Sequence, residues 1–427
     1  MPDYDVVVYG STPAGIAAAV SAGYLGHKVA LYEPLVMIGG MGAAGNLALH
    51  DGSSATSTFT GLAQNFTMLN AEYYGVKRPV AQPESFVANA SFWKMLANAG
   101  VTKVELNCRL TGASVGSTKA SVQSISVLCE KDPVTATVFI DASYDGEIMV
   151  LATHSTYGRE SIAEYNESLA GARVPTKFST ATGNPSPQVN ALHPNGTILK
   201  YVQNISTLAA PGEADGALMA FQHRLCISGD ASNKLPWKQP ANYVADDFLL
   251  FLRYIEASDD NQTFNGFGFP GQDMHGSGYP GSKKKYTLCC GVTIAASDQP
   301  HLNAGWATAS WEEKLAITAE YTYFELGMFY FLANDPRVPS PVKAKFNSYG
   351  ICADEFQEWD GIPPQLYIRA SNRMVGDFVL TQNSIINPAY KEDSIATGKW
   401  WFDEVRTYSY AVPYRTSYYL LHLLCLL

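Results

Sequence analysis

Two adjacent residues, His50 and Asp51, stand out as candidates for proton transfer. A neutral imidazole takes a proton near pH 7. Such a base suits hydride chemistry, where a proton must leave as the hydride does. A histidine satisfied by purely structural hydrogen bonds is the competing reading of His50. Asp298 and His301 sit in a polar stretch and rank behind this pair. No G-x-S-x-G elbow occurs, so nothing points to a serine hydrolase. The seven cysteines form no CxxC pair and no finger spacing, so no metal site is expected. Their odd, sparse count implies no disulfide framework.

The residues ahead of His50 say where such a base would act. Residues 5–9 read Asp-Val-Val-Val-Tyr, an apolar β-branched run suited to a buried parallel strand. Gly10-Ser11-Thr12-Pro13-Ala14-Gly15 follows, then a small-residue segment to Gly26 that predicts a helix. Pro13 fits the first turn, and Gly26 fits a C-terminal stop. Residues 28–32 form a second apolar strand, closed by Glu33. Strand, glycine turn, helix, strand and acid together make a dinucleotide site. Gly10 allows the sharp exit from the strand, and Gly15 lets the helix lie close to the sheet. The helix head offers free N–H groups to a diphosphate. Glu33 can accept hydrogen bonds from a ribose diol and would repel a 2′-phosphate, which disfavours NADP. Thr12 replaces the central glycine of the usual fingerprint. Its side chain either crowds the phosphate or contacts it through the hydroxyl.

A second glycine cluster follows the acid, Gly39-Gly40-Met41-Gly42 and on to Gly45. With Gly10-Ser11-Thr12-Pro13-Ala14-Gly15, it resembles the FAD-dependent oxidoreductase family that carries G-x-T-P-A-G and G-G-M motifs, a relative of the glutathione-reductase type of FAD fold. Residues 139–147, 157–161, 165–171, 367–369, 373–381 and 412–415 resemble later stretches of that family. The resemblance implies FAD as cofactor, with Gly10, Thr12, Pro13, Ala14, Gly15, Glu33, Gly39, Gly40, Met41, Asp141 and Gly146 around it. It implies an α/β fold: a Rossmann-like FAD-binding domain over 1–158 with an inserted β-meander at about 101–141, and an α+β substrate domain over 159–411. Residues 412–427 would be the return toward the FAD domain. The apolar tail 416–427 lacks the glycine-alanine helix expected there, so the chain reads as truncated.

Composition narrows the partners. Charged residues make up 16% of 427, hydrophobic residues 47%, and the net charge is −10. A folded, acidic protein is expected, binding a small-molecule substrate and no nucleic acid. No apolar run reaches the roughly 20 residues a membrane helix needs, so no membrane association is expected. No signal peptide is visible, which makes the cytoplasm the default location. Six N-x-S/T sequons, at Asn65, Asn89, Asn166, Asn195, Asn204 and Asn261, make secretion the alternative.

Further along, residues 172–305 are rich in Gly, Pro, Ser, Thr and Asn and predict long ordered loops in a substrate-facing domain. Residues 307–332 predict a helix with an apolar stripe at Tyr321, Phe324, Met328 and Phe331. Residues 365–382 also predict a helix. It would set Arg369, Arg373 and Asp377 four apart on one face, as a charge ladder or an anion clamp. The leading reading is an FAD-dependent oxidoreductase taking a hydride from a small organic substrate. A nucleotide-binding protein without redox turnover and an NAD-linked dehydrogenase are the alternatives.

Overall fold

The structure is a computed structural model. It describes residues 1–47, 59–117, 121–172, 189–202, 209–258, 272–273, 284–288, 297–299, 301–386, 396–400 and 419–423. His50 and Asp51 lie outside the described residues.

The N-terminal strand β1 (Tyr4–Tyr9) runs parallel to β2 (Val29–Tyr32) and to β6 (Val134–Asp141), and β2 runs parallel to β3 (Lys103–Glu105). Strands β4 (Leu110–Val115) and β5 (Val122–Val127) extend the sheet antiparallel beyond β6, in the order β3-β2-β1-β6-β5-β4. The expected meander is therefore β4 to β6. The segment before it joins the parallel sheet.

Alternation along β1 explains the layers, because neighbouring side chains point to opposite faces. Val6 and Val8 pack with Ile16, Ala19 and Val20 of helix α1 (Pro13–Tyr24). Helix α3 (Ser85–Asn98) adds Ala88, Phe92, Met95 and Leu96 to this face, with α2 (Gly61–Tyr73) beside it. Val7 and Tyr9 pack with Ile125, Val127 and Val134 of the meander on the other face. Helix α4 (Glu147–Ala152) follows β6, and short β7 (Ser155–Thr156) and α5 (Ile162–Tyr165) come next.

The remaining chain builds a second body. Strands β8 (Cys226–Ser228), β9 (Lys234–Leu235), β10 (Gln272–Asp273), β11 (Lys285–Thr287) and β12 (Gly350–Cys352) form a sheet in the order β10-β11-β8-β12-β9. All its pairings are antiparallel. Where a loop-rich region was expected, the described part of 172–305 thus supplies most of a sheet, together with helix α6 (Leu249–Ala257). Helix α7 (Trp311–Asn334) fulfils the helix expected at 307–332 and starts with a capping box between Ser310 and Glu313. Tyr321, Phe324, Met328 and Phe331 are fully buried. Helix α8 (Ser340–Asn347) packs beside it.

The helix expected over 365–382 is absent. That stretch is extended, with β13 (Arg373–Met374) pairing β7, and only α9 (Gln382–Ile386) is helical at its end. Ion pairs then hold the arginines apart: Arg369 meets Asp298, and Arg373 meets Glu160. Neither the ladder nor the clamp on one helix face exists. Strand β14 (Ala396–Trp400) pairs with β15 (Tyr419–Leu423) antiparallel.

Two disulfides overturn the expectation of none. Cys226 joins Cys352, whose Cα atoms are 5.4 Å apart. They are the next pair in the β8–β12 register after Gly350–Ser228 and Ile351–Ile227. Cys108 joins Cys129 at 5.1 Å, two steps beyond the Leu110–Val127 pair of β4 and β5. Only strand pairing brings these thiols together, so spacing along the chain could not reveal them.

A buried charge cluster ties the two bodies. Lys285 on β11 is fully buried, and its ammonium meets Glu84, Asp354 and Glu355. Glu84 is the N-cap residue of α3, beneath the first sheet.

Loop length ranks the two disulfides. Closing 126 residues limits the unfolded chain more than closing 21, by chain entropy roughly 5 against roughly 3 kcal/mol. Urea unfolding of the Cys226→Ala/Cys352→Ala and Cys108→Ala/Cys129→Ala proteins should show the larger loss for the first pair. The reverse order would mean that strain or residual structure, not loop closure, governs these bonds.

Candidate functional site

Chain geometry places one cleft at the carboxyl ends of β1, β2 and β6, the usual ligand position in an open parallel sheet. It is open to solvent and is lined by Gly10, Thr12, Glu33, Gly40, Ser143 and Tyr144, among others. Of the sequence candidates, Gly10, Thr12, Glu33 and Gly40 therefore meet in one cavity.

Gly10 turns out of β1 with φ +93°, and an added Cβ there would lie 2.6 Å from the Ala142 and Ser143 backbone. Only glycine fits both the conformation and the space. Gly15 is closer still: its added Cβ would lie 2.1 Å from the Gly10 carbonyl oxygen. Its role is packing of α1, and it does not line the cleft. Pro13 and Ala14, at the head of α1, are exposed.

Thr12 resolves into a capping residue. Its hydroxyl donates to the Ala142 carbonyl at 2.9 Å and accepts from the Gly15 N–H at 3.2 Å. The hydroxyl that could have met a phosphate thus ties the start of α1 to the end of β6.

Glu33 faces the cleft but is already engaged. One carboxylate oxygen accepts from the Ser11 N–H at 2.7 Å and from the Ser11 hydroxyl, and the other accepts from the Leu35 N–H at 2.8 Å. Burial pushes this carboxyl up, and those hydrogen bonds pull it back.

The second glycine cluster docks on the first. The Gly39 N–H donates to the Ser11 carbonyl at 2.8 Å. The Met41 N–H donates to the Tyr144 hydroxyl at 2.7 Å. A Cβ on Gly40 would lie 2.6 Å from that hydroxyl, so glycine keeps the loop close. Asp141 and Gly146 play structural parts. Asp141 accepts from the Ser143 N–H and hydroxyl and from the Met149 N–H, which shapes the turn into α4. Gly146 adopts φ +64° at the start of that helix.

The sequence reading missed the opposite wall. Trp306, Trp311, Lys314, Leu315 and Thr318 cover the cleft from the second body. The last four share one face of α7, spaced three, four and seven residues apart. Asp145 links the walls, accepting from Trp306 Nε1 and from Lys314 Nζ, both at 2.8 Å. Trp311 lies toward the Glu33 end of the cleft. Its ring carries the Arg109 guanidinium at 5.2 Å, and the preceding Asn107 and Cys108 N–H groups donate to the Leu35 and Glu33 carbonyls. Glu147 also lines the cleft. Burial pushes its carboxyl up to about 7, with Asp145 and Asp141 adding to the rise and Lys314 and a Tyr9 hydrogen bond opposing it.

Asp298 and His301 do not line this cleft. Asp298 pairs with Arg369 at 2.9 Å, and burial pushes the His301 imidazole down. Among the described residues no cluster of three His, Cys, Asp or Glu could hold a metal, and no helix is long and apolar enough to cross a membrane.

Comparison with known proteins adds to this geometry. No curated protein matches the chain. Similar solved structures include THI4 of Thermovibrio ammonificans, 16% identical over 35% of this chain and 60% of that one, with a TM-score of 0.26. The L-proline dehydrogenase of P. horikoshii is 11% identical over 37% and 59%, with a TM-score of 0.27. The thioredoxin reductase of T. acidophilum is 24% identical over 33% and 35%, with a TM-score of 0.21. The matched part is thus 60% or less of each of these three structures. The model of the family described as FAD dependent oxidoreductase matches residues 5–426. The chain belongs to the FAD-dependent oxidoreductase family.

Proposed function

We propose that the cleft holds FAD and that the protein oxidises a small organic substrate by hydride transfer to the flavin. The observation that carries this reading is the cleft itself: Gly10, Thr12 and Glu33 line it where three parallel strands end, beside an exposed helix head. The fit is chemical as well as steric. The head of α1 offers backbone donors to a diphosphate. Glu33 has three protein donors on a group that accepts about four. A ribose hydroxyl takes the remaining place or displaces the rotatable Ser11 hydroxyl. Pro13, Ala14 and Gly15 would form the turn beneath the diphosphate. Gly39, Gly40 and Met41 would carry the chain past the middle of the cofactor, with Asp141 and Gly146 shaping the facing turn.

FAD, when bound, supplies the hydride acceptor. The protein's own contribution is to bind, orient and exclude water. Trp306, Trp311 and Leu315 form an apolar roof over the cleft, and Lys314 neutralises Asp145 beneath it. His50, with Asp51, is the proposed base for the substrate proton, since the chain enters that segment directly from the second glycine cluster. Residues 1–158 are proposed as the FAD-binding domain and 159–411 as the substrate domain.

Purified protein should be yellow, with one flavin released per chain. Anaerobic addition of candidate small organic reductants should bleach it. Colourless protein that takes up no FAD would overturn the cofactor assignment. Yellow protein that no reductant class bleaches would overturn the reaction and leave the cofactor site standing.

Trp311 at the Glu33 end should distinguish FAD from FMN, which lacks the adenosine half. Trp311→Ala should weaken FAD by about tenfold, within the ~1–3 kcal/mol of base–aromatic stacking. It should leave FMN affinity unchanged by calorimetry. Equal loss for both flavins would place the ring elsewhere in the site.

Glu147 sets a pH dependence. Its carboxyl, held up at about 7, is neutral below that pH and negative above it, where it repels a diphosphate. FAD affinity should fall by roughly tenfold between pH 6 and pH 8, about 1.4 kcal/mol. In Glu147→Gln the dependence should flatten. A wild-type affinity that rises with pH would have the wrong sign for this role.

A further inference from the structure

We propose that this chain folds in an oxidising secretory compartment and carries N-linked glycans on Asn65, Asn166 and Asn195. Two independent observations meet here. The first is covalent: Cys108–Cys129 and Cys226–Cys352 are closed, and Cys226 and Cys352 lie fully inside the second body. Disulfides of this structural kind form and persist in oxidising compartments and are rare where glutathione keeps thiols reduced. The second is the distribution of sequons on the folded surface.

Of the six sequons, Asn204 and Asn261 lie outside the described residues. Three of the other four have exposed asparagines. Asn65 is on the outer side of α2, Asn166 ends α5 with φ +54°, and Asn195 tips a tight turn. At Asn195 the side-chain oxygen accepts from the Thr197 N–H at 3.1 Å and hydroxyl at 2.7 Å, which leaves the amide nitrogen directed away from its own turn. Asn89 differs. It is half-buried on α3, and its amide donates to the Ile38 carbonyl at 3.3 Å, inside the first body. A glycan there would have to break that contact. None of the three exposed asparagines lines the cofactor cleft, so glycans on them leave it open.

The chemistry balances with the co-reactants of such a compartment. In glycan transfer, the asparagine amide nitrogen bonds to the sugar anomeric carbon and gives up one proton. The anomeric carbon–oxygen bond to a lipid diphosphate breaks, and the diphosphate leaves with the electron pair. In disulfide closure, each thiol pair releases two protons and passes two electrons to a disulfide-bearing oxidoreductase.

The full-length protein isolated from its source, alkylated without reduction and digested, tests both parts at once. Glycosidase release in heavy-oxygen water should convert Asn65, Asn166 and Asn195 to labelled aspartate, and leave Asn89 as asparagine. The same digest should contain Cys108 linked to Cys129 and Cys226 linked to Cys352. Unlabelled Asn65, Asn166 and Asn195 would overturn the proposal, as would alkylation of these four cysteines. Label at Asn89 alone would overturn it as well, since the packing assigns that residue to the interior.

Discussion

The molecule depends on how closely the head of α1 approaches the ends of β1 and β6. Gly15 sits where any side chain would strike the Gly10 carbonyl, and Gly10 sits where any side chain would strike the turn after β6. Thr12 then bonds to both sides, capping α1 and reaching Ala142. Overpacking of a fitted contact of this kind costs ~1–3 kcal/mol and forces backbone shifts. The three chain segments that frame the cleft are positioned by this one contact. The cleft exists because the helix is near enough to aim its head at it.

Much of this half was legible from residue order. The β-branched run at residues 5–9, the small residues after Gly15 and the acid at position 33 are local signals, and β1, α1 and β2 follow them closely. The second body was not legible for a physical reason. Its strands are two or three residues long, too short for alternation to register, and β12 pairs with β8 and β9 across more than a hundred residues. Its sheet, and the Cys226–Cys352 bond within it, are properties of the folded register alone. The stretch 365–382 misled in the other direction. Spacing of four between Arg369, Arg373 and Asp377 imitates a helix face, whereas partners on separate segments, Asp298 and Glu160, draw the chain out straight.

The site divides along the same line. Gly10, Thr12, Glu33 and Gly40 were found because they are consecutive landmarks of one βαβ unit. Asp141 and Gly146 were placed in the right turn but serve its shape. The wall from α7 was overlooked because that helix uses two faces. Tyr321, Phe324, Met328 and Phe331 bury one of them and draw attention to the core. Trp311, Lys314, Leu315 and Thr318 turn the other, near the helix start, toward the cleft.

That double duty of α7 has a kinetic consequence. Its far end is locked among the aromatic residues beneath the second sheet, and its near end roofs the cleft, so the roof cannot lift as a loose flap does. Lys285, buried against Glu84, fastens the same two bodies a second time. Lifting that roof therefore means parting two packed bodies. Occupancy is thereby coupled to the cohesion of the whole chain, since a ligand that favours the closed form adds its binding energy to that form.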